Sequence, residues 1–365
     1  MAARSCRTHC AGYGATRPSR IAGGGQYCAS TGESMTRHFA FQDPEVSMMS
    51  MADRGSFPMK LPVVLLMWGV CLLISPGTAF AQDADAEDDV EAFYALSEDG
   101  EQLRRLFGVP GTSFGSPAVS PDGKLIAFDG WEIDKQPKVT RVFVAAIDQS
   151  SFTEICTGYM PTWSADGKYL TMSRSGTNPS GVWMASADGD QLEHVDSGWG
   201  AQWAPDGKTI GYLQGSQIVL YDVETGETRT VFPAGEEPYR GVYWNMEFSP
   251  DSRRICFLGR NSDGTSDIAI VSLDDPEAEI KVIMEGQTVY PGFAWHPKGN
   301  RVCFTMGHPE TGIFQVYEFD PDSDAPPFLM KGQDPGKRNR EVCWMPDGSE
   351  LVYVADPVPT AQSQK

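Results

Sequence analysis

Positive charge is scarce in this chain. Its 365 residues include 29 Lys and Arg against 49 Asp and Glu, which gives a formal net charge of −20 at pH 7. Phosphate groups and anionic lipid headgroups repel a surface of this sign. The composition therefore argues against nucleic acid and against an anionic membrane surface as partners.

Long apolar runs are also scarce. The run Leu61–Ile74 has 14 residues, fewer than the roughly 20 that a membrane-spanning helix needs. It follows Lys60 and leads to a small-residue ending at Ala81, which is the pattern of a secretory signal peptide over 59–81. We therefore expect cleavage before Gln82, a periplasmic or secreted protein, and no stable membrane span in the mature chain.

The segments on either side of the signal peptide are expected to carry no fold of their own. Residues 1–58 show no apolar periodicity long enough to fold, so we interpret them as a non-native or disordered upstream extension, with Met59 as the true start. Residues 82–89 form a short acidic linker, the repeats described next fill 90–355, and 356–365 form a flexible tail.

Histidine and cysteine are few in the part of the chain that follows the signal peptide. His194, His296 and His308 fall at different positions of the repeat, so neither a three-histidine metal site nor any other metal or cofactor is expected. Cys256 and Cys303 occupy equivalent positions in two copies of the repeat. We interpret them as free thiols in a buried strand, although an exported protein could also form disulfides.

One short pattern occurs six times along the chain. An apolar residue, usually Trp, precedes a Pro-Asp-Gly type turn, and the copies follow one another at intervals of 40 to 49 residues, the size of a four-stranded propeller blade. The copies are AVSPDGK at 118–124, TWSADGK at 162–168, QWAPDGK at 202–208, EFSPDSR at 247–253, AWHPKGN at 294–300 and CWMPDGS at 343–349. This spacing predicts an all-β, six-bladed β-propeller in which each copy is a corner between two strands.

The sixth repeat is too short to form a whole blade. After Val354 only the end of the chain remains, but Glu91–Leu96, a turn at Ser97–Gly100 and Gln102–Phe107 match the second half of another repeat, Gly181–His194. We therefore predict that N-terminal strands complete the last blade. Closing the ring in this way removes the exposed edges that an open array of blades would have.

The corners, each followed by a strand that ends in Phe or Tyr, resemble the WD40-like (PD40) propeller repeats of the TolB family. The resemblance covers residues 90–355 and implies the propeller fold and a scaffold that binds protein in the periplasm or cell envelope. Here only 82–89 separates the signal peptide from the first strand, whereas TolB carries an α/β domain before its propeller.

Two short motifs suggest chemistry but lack its context. Gly111–Gly115 matches G-x-S-x-G, yet Pro117 and a strand follow it instead of a helix, so we interpret it as a loop between blades. Asp320–Asp324 has the alternating acids of a calcium loop but not its glycine and glutamate, so we interpret it as a solvated hairpin turn. No catalytic residue is expected.

Aromatic and basic residues concentrate in the loops that join one blade to the next and the second strand to the third, and they include Trp131, Trp244, Arg260 and Lys337. Trp, Tyr and Arg dominate binding hot spots, and about half of these aromatics are expected to pack between blades instead. The candidate binding residues are Trp199, Tyr239, Arg240, Tyr243, Tyr290, Arg338 and Arg340.

Two functions are compatible with this pattern. The first is a non-catalytic scaffold that receives an acidic segment of a periplasmic or envelope protein on a cationic, aromatic patch. The second is a lyase-like propeller that binds or cleaves an anionic glycan, which would need paired carboxylates or a metal at one channel mouth. The scattered histidines favour the scaffold.

Overall fold

The structure, a computed structural model, describes residues 90–149, 151–215, 217–231, 239–274, 280–287 and 289–358. The predicted upstream extension, signal peptide and acidic linker lie outside these residues, as does the tail from residue 359. Every regular element in the described part is a β-strand. No helix there could cross a membrane.

Twenty-four strands form six antiparallel sheets of four strands, confirming the predicted all-β, six-bladed β-propeller. Blade 1 contains β3 (Thr112–Val119), β4 (Leu125–Glu132), β5 (Arg141–Ala146) and β6 (Phe152–Thr157). Blade 2 contains β7 (Tyr159–Trp163), β8 (Tyr169–Arg174), β9 (Gly181–Ser186) and β10 (Leu192–Asp196). Blade 3 contains β11 (Trp199–Trp203), β12 (Thr209–Gln214), β13 (Gln217–Asp222) and β14 (Thr228–Thr230).

The other three blades complete the ring. Blade 4 contains β15 (Gly241–Phe248), β16 (Arg254–Arg260), β17 (Ser266–Ser272) and β18 (Lys281–Gln287). Blade 5 contains β19 (Val289–Trp295), β20 (Val302–Gly307), β21 (Phe314–Phe319) and β22 (Phe328–Leu329). Blade 6 contains β23 (Lys337–Trp344), β24 (Glu350–Pro357), β1 (Ala92–Ser97) and β2 (Leu103–Phe107).

The repeated corner forms a tight turn between the first two strands of a blade. In blade 1, the Ser120 hydroxyl donates to Asp122 Oδ1 at 2.7 Å and accepts the Leu125 N–H at 2.9 Å. Gly123 follows with a φ of +72°, a conformation that glycine adopts without steric cost. The same three roles recur in other copies, so the motif has a structural purpose, as predicted.

The hydrophobic core lies between blades. Six buried clusters are found among the described residues, and each contains side chains of two adjacent blades. The first strand of each blade contacts the first strands of both neighbouring blades, in the closed order β3, β7, β11, β15, β19, β23. These six inner strands therefore surround a central channel.

Ring closure is as predicted from the sequence. Strand β1 pairs with β24 from Ala92↔Ala355 to Ser97↔Glu350, and β2 forms the outer edge of the same blade. Strand β24 ends at Pro357, so Asp356 belongs to blade 6 rather than to the predicted tail. The blade that closes the ring is thus assembled from both ends of the described chain.

Candidate functional site

Each inner strand of the propeller has an irregular register near its beginning. The shifts occur between Gly115 and Ala118, Tyr159 and Thr162, Trp199 and Gln202, Val242 and Met246, Tyr290 and Phe293, and Arg340 and Val342. Three non-glycine residues at these shifts, Ser116, Met160 and Glu341, have φ values of 48° to 54°. Such φ values are rare for residues with a Cβ and mark a local bend in the strand.

Side chains of one blade bind the backbone of the next blade at these bends. Met160 N–H donates to Asp129 Oδ2 at 2.7 Å, and Gly200 N–H donates to Ser173 Oγ at 2.8 Å. Ser116 N–H donates to Glu341 Oε2 at 3.3 Å. These hydrogen bonds connect blades 6, 1, 2 and 3 around the channel and satisfy N–H groups that the bends take out of the strand ladder.

Asp129 is the buried carboxyl that accepts one of these hydrogen bonds between blades. Burial raises its pKa from 3.8 to about 7; the Met160 N–H opposes the rise and the nearby Glu341 carboxyl adds to it. The Ser116 hydroxyl and the Arg340 guanidinium also face Asp129, and both favour its charged form. Asp129 is therefore partly protonated near neutral pH.

We expect Asp129 to make folding less favourable as pH rises. Between pH 3.8 and 7 the unfolded chain loses this proton while the folded chain keeps it, so the free energy of unfolding falls across that window, by about 4 kcal/mol at most. Urea unfolding of the wild type and Asp129→Asn from pH 4.5 to 8.5 tests this. As pH rises, the free energy of unfolding of Asp129→Asn should increase relative to that of the wild type. A difference between the two proteins that does not change with pH would contradict this expectation.

An aromatic arc spans three consecutive blades at the face where the inner strands begin. We define it as Tyr159, Trp199, Tyr243 and Trp244. The rings of Tyr159 and Trp199 are 5.3 Å apart, and those of Tyr243 and Trp244 are 5.8 Å apart. The two pairs of aromatic residues adjoin at Gly200, because a Cβ atom built on this glycine would lie 2.9 Å from the Cβ atom of Trp244. Trp244 is 46% exposed, so a large apolar side chain of the arc is open to solvent.

Two exposed arginines lie at one end of the arc. Arg240 N–H donates to the Arg260 carbonyl at 2.8 Å, so the backbone of Arg240, just before β15, adjoins that of Arg260 at the end of β16. The Arg260 guanidinium lies 5.0 Å from the centre of the Tyr243 ring. The arc thus adjoins two exposed arginines, on a protein with a net charge of −20. Such a surface attracts a ligand with apolar and anionic groups.

The structure places the seven candidate binding residues in different surroundings. Trp199, Arg240 and Tyr243 belong to the arc and its cationic end. Tyr239 is only 7% exposed and packs against Phe257, and burial raises its pKa to about 12. Tyr290 lies in β19, where the described contacts are those of the backbone.

Arg338 and Arg340 belong to a different structure, an ion-pair network in blade 6. Arg340 is buried, with its guanidinium 2.9 Å from Glu91 Oε2 and 3.3 Å from Asp356 Oδ1. Arg338 binds the same Asp356 carboxylate through Nε, at 3.0 Å, and through NH2. These two arginines therefore do not join Arg240 in one cationic patch.

Tyr159 was missed by the sequence analysis, although the sequence contains the signal. Tyr159, Trp199 and Trp244 each stand three residues before the repeated corner motif, in the second, third and fourth copies. An aromatic residue at one position of three consecutive repeats predicts a row of rings on neighbouring blades.

The three described histidines lie apart. His194 packs against the Trp183 ring at 5.3 Å in blade 2. His296 is fully buried at a corner of blade 5, with Nε2 3.2 Å from the Gly348 carbonyl oxygen, and its pKa is lowered, chiefly by burial. His308 lies between β20 and β21. Within the described ranges, no three His, Cys, Asp or Glu side chains form a group that could hold a metal ion.

The remaining sequence motifs have structural surroundings. Gly111–Gly115 lies at the start of β3, not in a loop between blades as predicted, and no helix follows it. The turn Asp320–Asp324 is bound to blade 4, where Arg254 NH1 lies 2.6 Å from Asp322 Oδ1 and Lys281 Nζ donates to two backbone carbonyls. Cys256 and Cys303 are buried free thiols whose pKa values burial raises.

The fold and its closure define the class of this chain, a TolB-like six-bladed β-propeller. A TolB structure from Agrobacterium tumefaciens is 18% identical, with a TM-score of 0.57, and the match covers 74% of this chain and 99% of that one. TolB from Acinetobacter baumannii is 16% identical, with a TM-score of 0.50, and the match covers 74% of this chain and 64% of that one.

More distant propellers include enzymes. Oligogalacturonate lyase from Vibrio parahaemolyticus is 10% identical, with a TM-score of 0.46, over 76% of this chain and 98% of that one. A likeness at this distance does not separate a binding protein from an enzyme. No family model matches the sequence, and no curated protein matches it. The solved structures therefore define the fold alone.

Proposed function

We propose that this protein is an exported, non-catalytic propeller scaffold that binds an extended segment of a protein partner across the aromatic arc, in the periplasm or cell envelope. The observation that carries the proposal is the arc itself. It places a half-exposed Trp244 and three further rings over three blades and ends in Arg240 and Arg260. Exposed Trp, Tyr and Arg side chains in one patch are typical of protein-binding hot spots.

The charges of the site indicate the chemistry of the partner segment. Arg240 and Arg260 are exposed cations on a chain with a net charge of −20, so they are a local exception to the field of the protein. A segment with apolar side chains for the arc and carboxylates for the two guanidinium groups complements this surface. Long-range repulsion by the acidic protein would limit binding of acidic segments that cannot reach both arginines.

Site-specific photo-crosslinking tests this proposal. A benzophenone amino acid replaces Trp244 in one variant and Phe328 in a control; Phe328 is 57% exposed but lies on the outer edge of blade 5. After irradiation of intact cells, the variant at position 244 should give a defined protein adduct and the control should not. Arg240→Ala combined with Arg260→Ala should reduce that adduct.

Two other outcomes would contradict the proposal. An adduct whose added mass is removed by polysaccharide lyases would establish an anionic glycan as the ligand, which is the alternative function. Equal adducts at positions 244 and 328 would show that the arc has no special role in binding.

A further inference from the structure

The central channel contains a cavity of about 430 Å³ between the inner strands. The residues that line it include Trp163, Trp203, Trp244, Trp295, Trp344 and Glu247. At the corner end, its rim includes Pro121, Ala165 and Pro205, which are exposed to solvent. The cavity is therefore open to solvent at the corner face, and one of its lining residues, Trp244, also belongs to the aromatic arc.

All charge on the lining of this cavity is of one sign. Glu247 and Glu341 contribute carboxyl groups, and no Lys, Arg or His is among its described lining residues. The rest of the lining combines polar residues such as Thr162, Gln202 and Asn245 with Trp, Pro and Ala residues. Clefts with low-dielectric walls and a single sign of charge concentrate the electric field, so a cation is attracted here more strongly than at an open surface.

Glu247 has no cationic partner among the residues that the structure describes. It accepts the Trp295 N–H of the next blade, and burial raises its pKa to about 8. The other titratable groups that face it are the thiols of Cys256 and Cys343, whose own pKa values are raised, and neither supplies positive charge. At this position the other repeats have Ala, Thr, Gln, Ala and Cys, so the carboxyl is particular to blade 4.

We propose that the channel cavity binds an organic cation, a primary ammonium or guanidinium group, through an ion pair with Glu247. A bound cation would supply the charge that this carboxylate lacks. An organic cation fits better than a metal ion, because calcium and magnesium need about six or more oxygen ligands, and no group of three potential metal ligands occurs in the described residues.

This inference does not depend on the proposed function. The cation has two sources, a free small amine or a Lys or Arg side chain of a bound partner, and the chemistry at Glu247 is the same for both. Small cations can therefore be tested on the protein in the absence of any protein partner.

Isothermal titration calorimetry on the full chain tests the site. The probes are N-acetyl-arginine amide and N-acetyl-lysine amide, with N-acetyl-norleucine amide as the neutral control. Glu247→Gln keeps an oxygen for the Trp295 N–H but removes the charge, and Glu193→Gln, on the exposed outer strand of blade 2, is the matched control. We expect Glu247→Gln to weaken binding of both cations at least tenfold and Glu193→Gln to leave it unchanged.

The pH dependence provides a second readout. Because Glu247 must lose its proton to pair with the cation, binding of the arginine amide should be about 30-fold tighter at pH 9 than at pH 6.5 for a pKa of about 8. Glu247→Gln should abolish this dependence. If Glu247→Gln also lowers the affinity for the crosslinked partner, the cation is a side chain of that partner. If that affinity is unchanged, the cation is a free amine.

The proposal is overturned if neither cation binds the wild type, if the norleucine amide binds as well as they do, or if Glu247→Gln binds them as the wild type does. It is also overturned if Ca²⁺ binds and the organic cations do not.

Discussion

Deletion of residues 90–107, which contain β1 and β2, is expected to abolish cooperative folding. This segment contributes five large buried side chains to blade 6, namely Phe93, Tyr94, Leu96, Leu106 and Phe107. Their burial stabilises the protein by about 8–15 kcal/mol, which is as large as the whole free energy of unfolding of a typical domain. Differential scanning calorimetry of the truncated chain should show no unfolding transition.

A circular permutant is the matched control for this deletion. It joins Val358 through a short Gly-Ser linker to Val90 and ends after Phe107, so that β23, β24, β1 and β2 follow one another in sequence as the strands of the other blades do. The permutant should fold and show a single transition. A truncated chain that unfolds cooperatively like the permutant would mean that the N-terminal strands are not needed to close the ring.

Arg340→Ala is expected to lower the free energy of unfolding by about 3–5 kcal/mol, because it removes the cation from the nearly buried Glu91 carboxylate and leaves the buried Asp356 carboxylate with Arg338 alone. The Arg340 guanidinium binds Glu91, just before β1, and Asp356, near the end of β24, and it also donates to the Phe114 carbonyl at 2.9 Å. The residue therefore connects the two ends of the described chain to blade 1. Urea unfolding at pH 7 measures the loss.

Arg338→Ala is the control for that measurement. Arg338 binds the same Asp356 carboxylate, but its side chain is 44% exposed, and exposed ion pairs typically contribute about 1 kcal/mol or less. Combining Arg340→Met with Glu91→Gln and Asp356→Asn should recover part of the stability, since neither carboxylate is then left charged at the site of the missing guanidinium. Equal effects of Arg338→Ala and Arg340→Ala would contradict the assignment of Arg340 to the closure.

The repeats made most of the fold predictable from sequence. The corner motif gives the number of blades because it encodes a complete local structure: Ser120, Asp122 and Gly123 form their turn with residues within five positions. Closure was predictable for a different reason. The last repeat is incomplete, and a matching half repeat occurs near the other end of the described chain.

The binding face was less predictable, because burial and ion pairing depend on contacts far apart in sequence. Arg340 was selected as a surface cation, but Asp356 pairs with it across the β23–β24 hairpin, and Glu91 meets it once the ring has closed. Likewise, Tyr239 becomes part of the core through Phe257 on the neighbouring strand. Tyr159, Trp199 and Trp244 could be found because they share one position of the repeat.

The affinity of the crosslinked partner for the wild type, Trp244→Ala and Phe328→Ala tests the central claim most directly. Truncation of a hot-spot aromatic residue costs about 2 kcal/mol or more, so Trp244→Ala should raise the dissociation constant about 30-fold or more, and Phe328→Ala should leave it unchanged. Equal dissociation constants for all three proteins, each folded as judged by its thermal transition, would contradict the claim that the aromatic arc is the binding site.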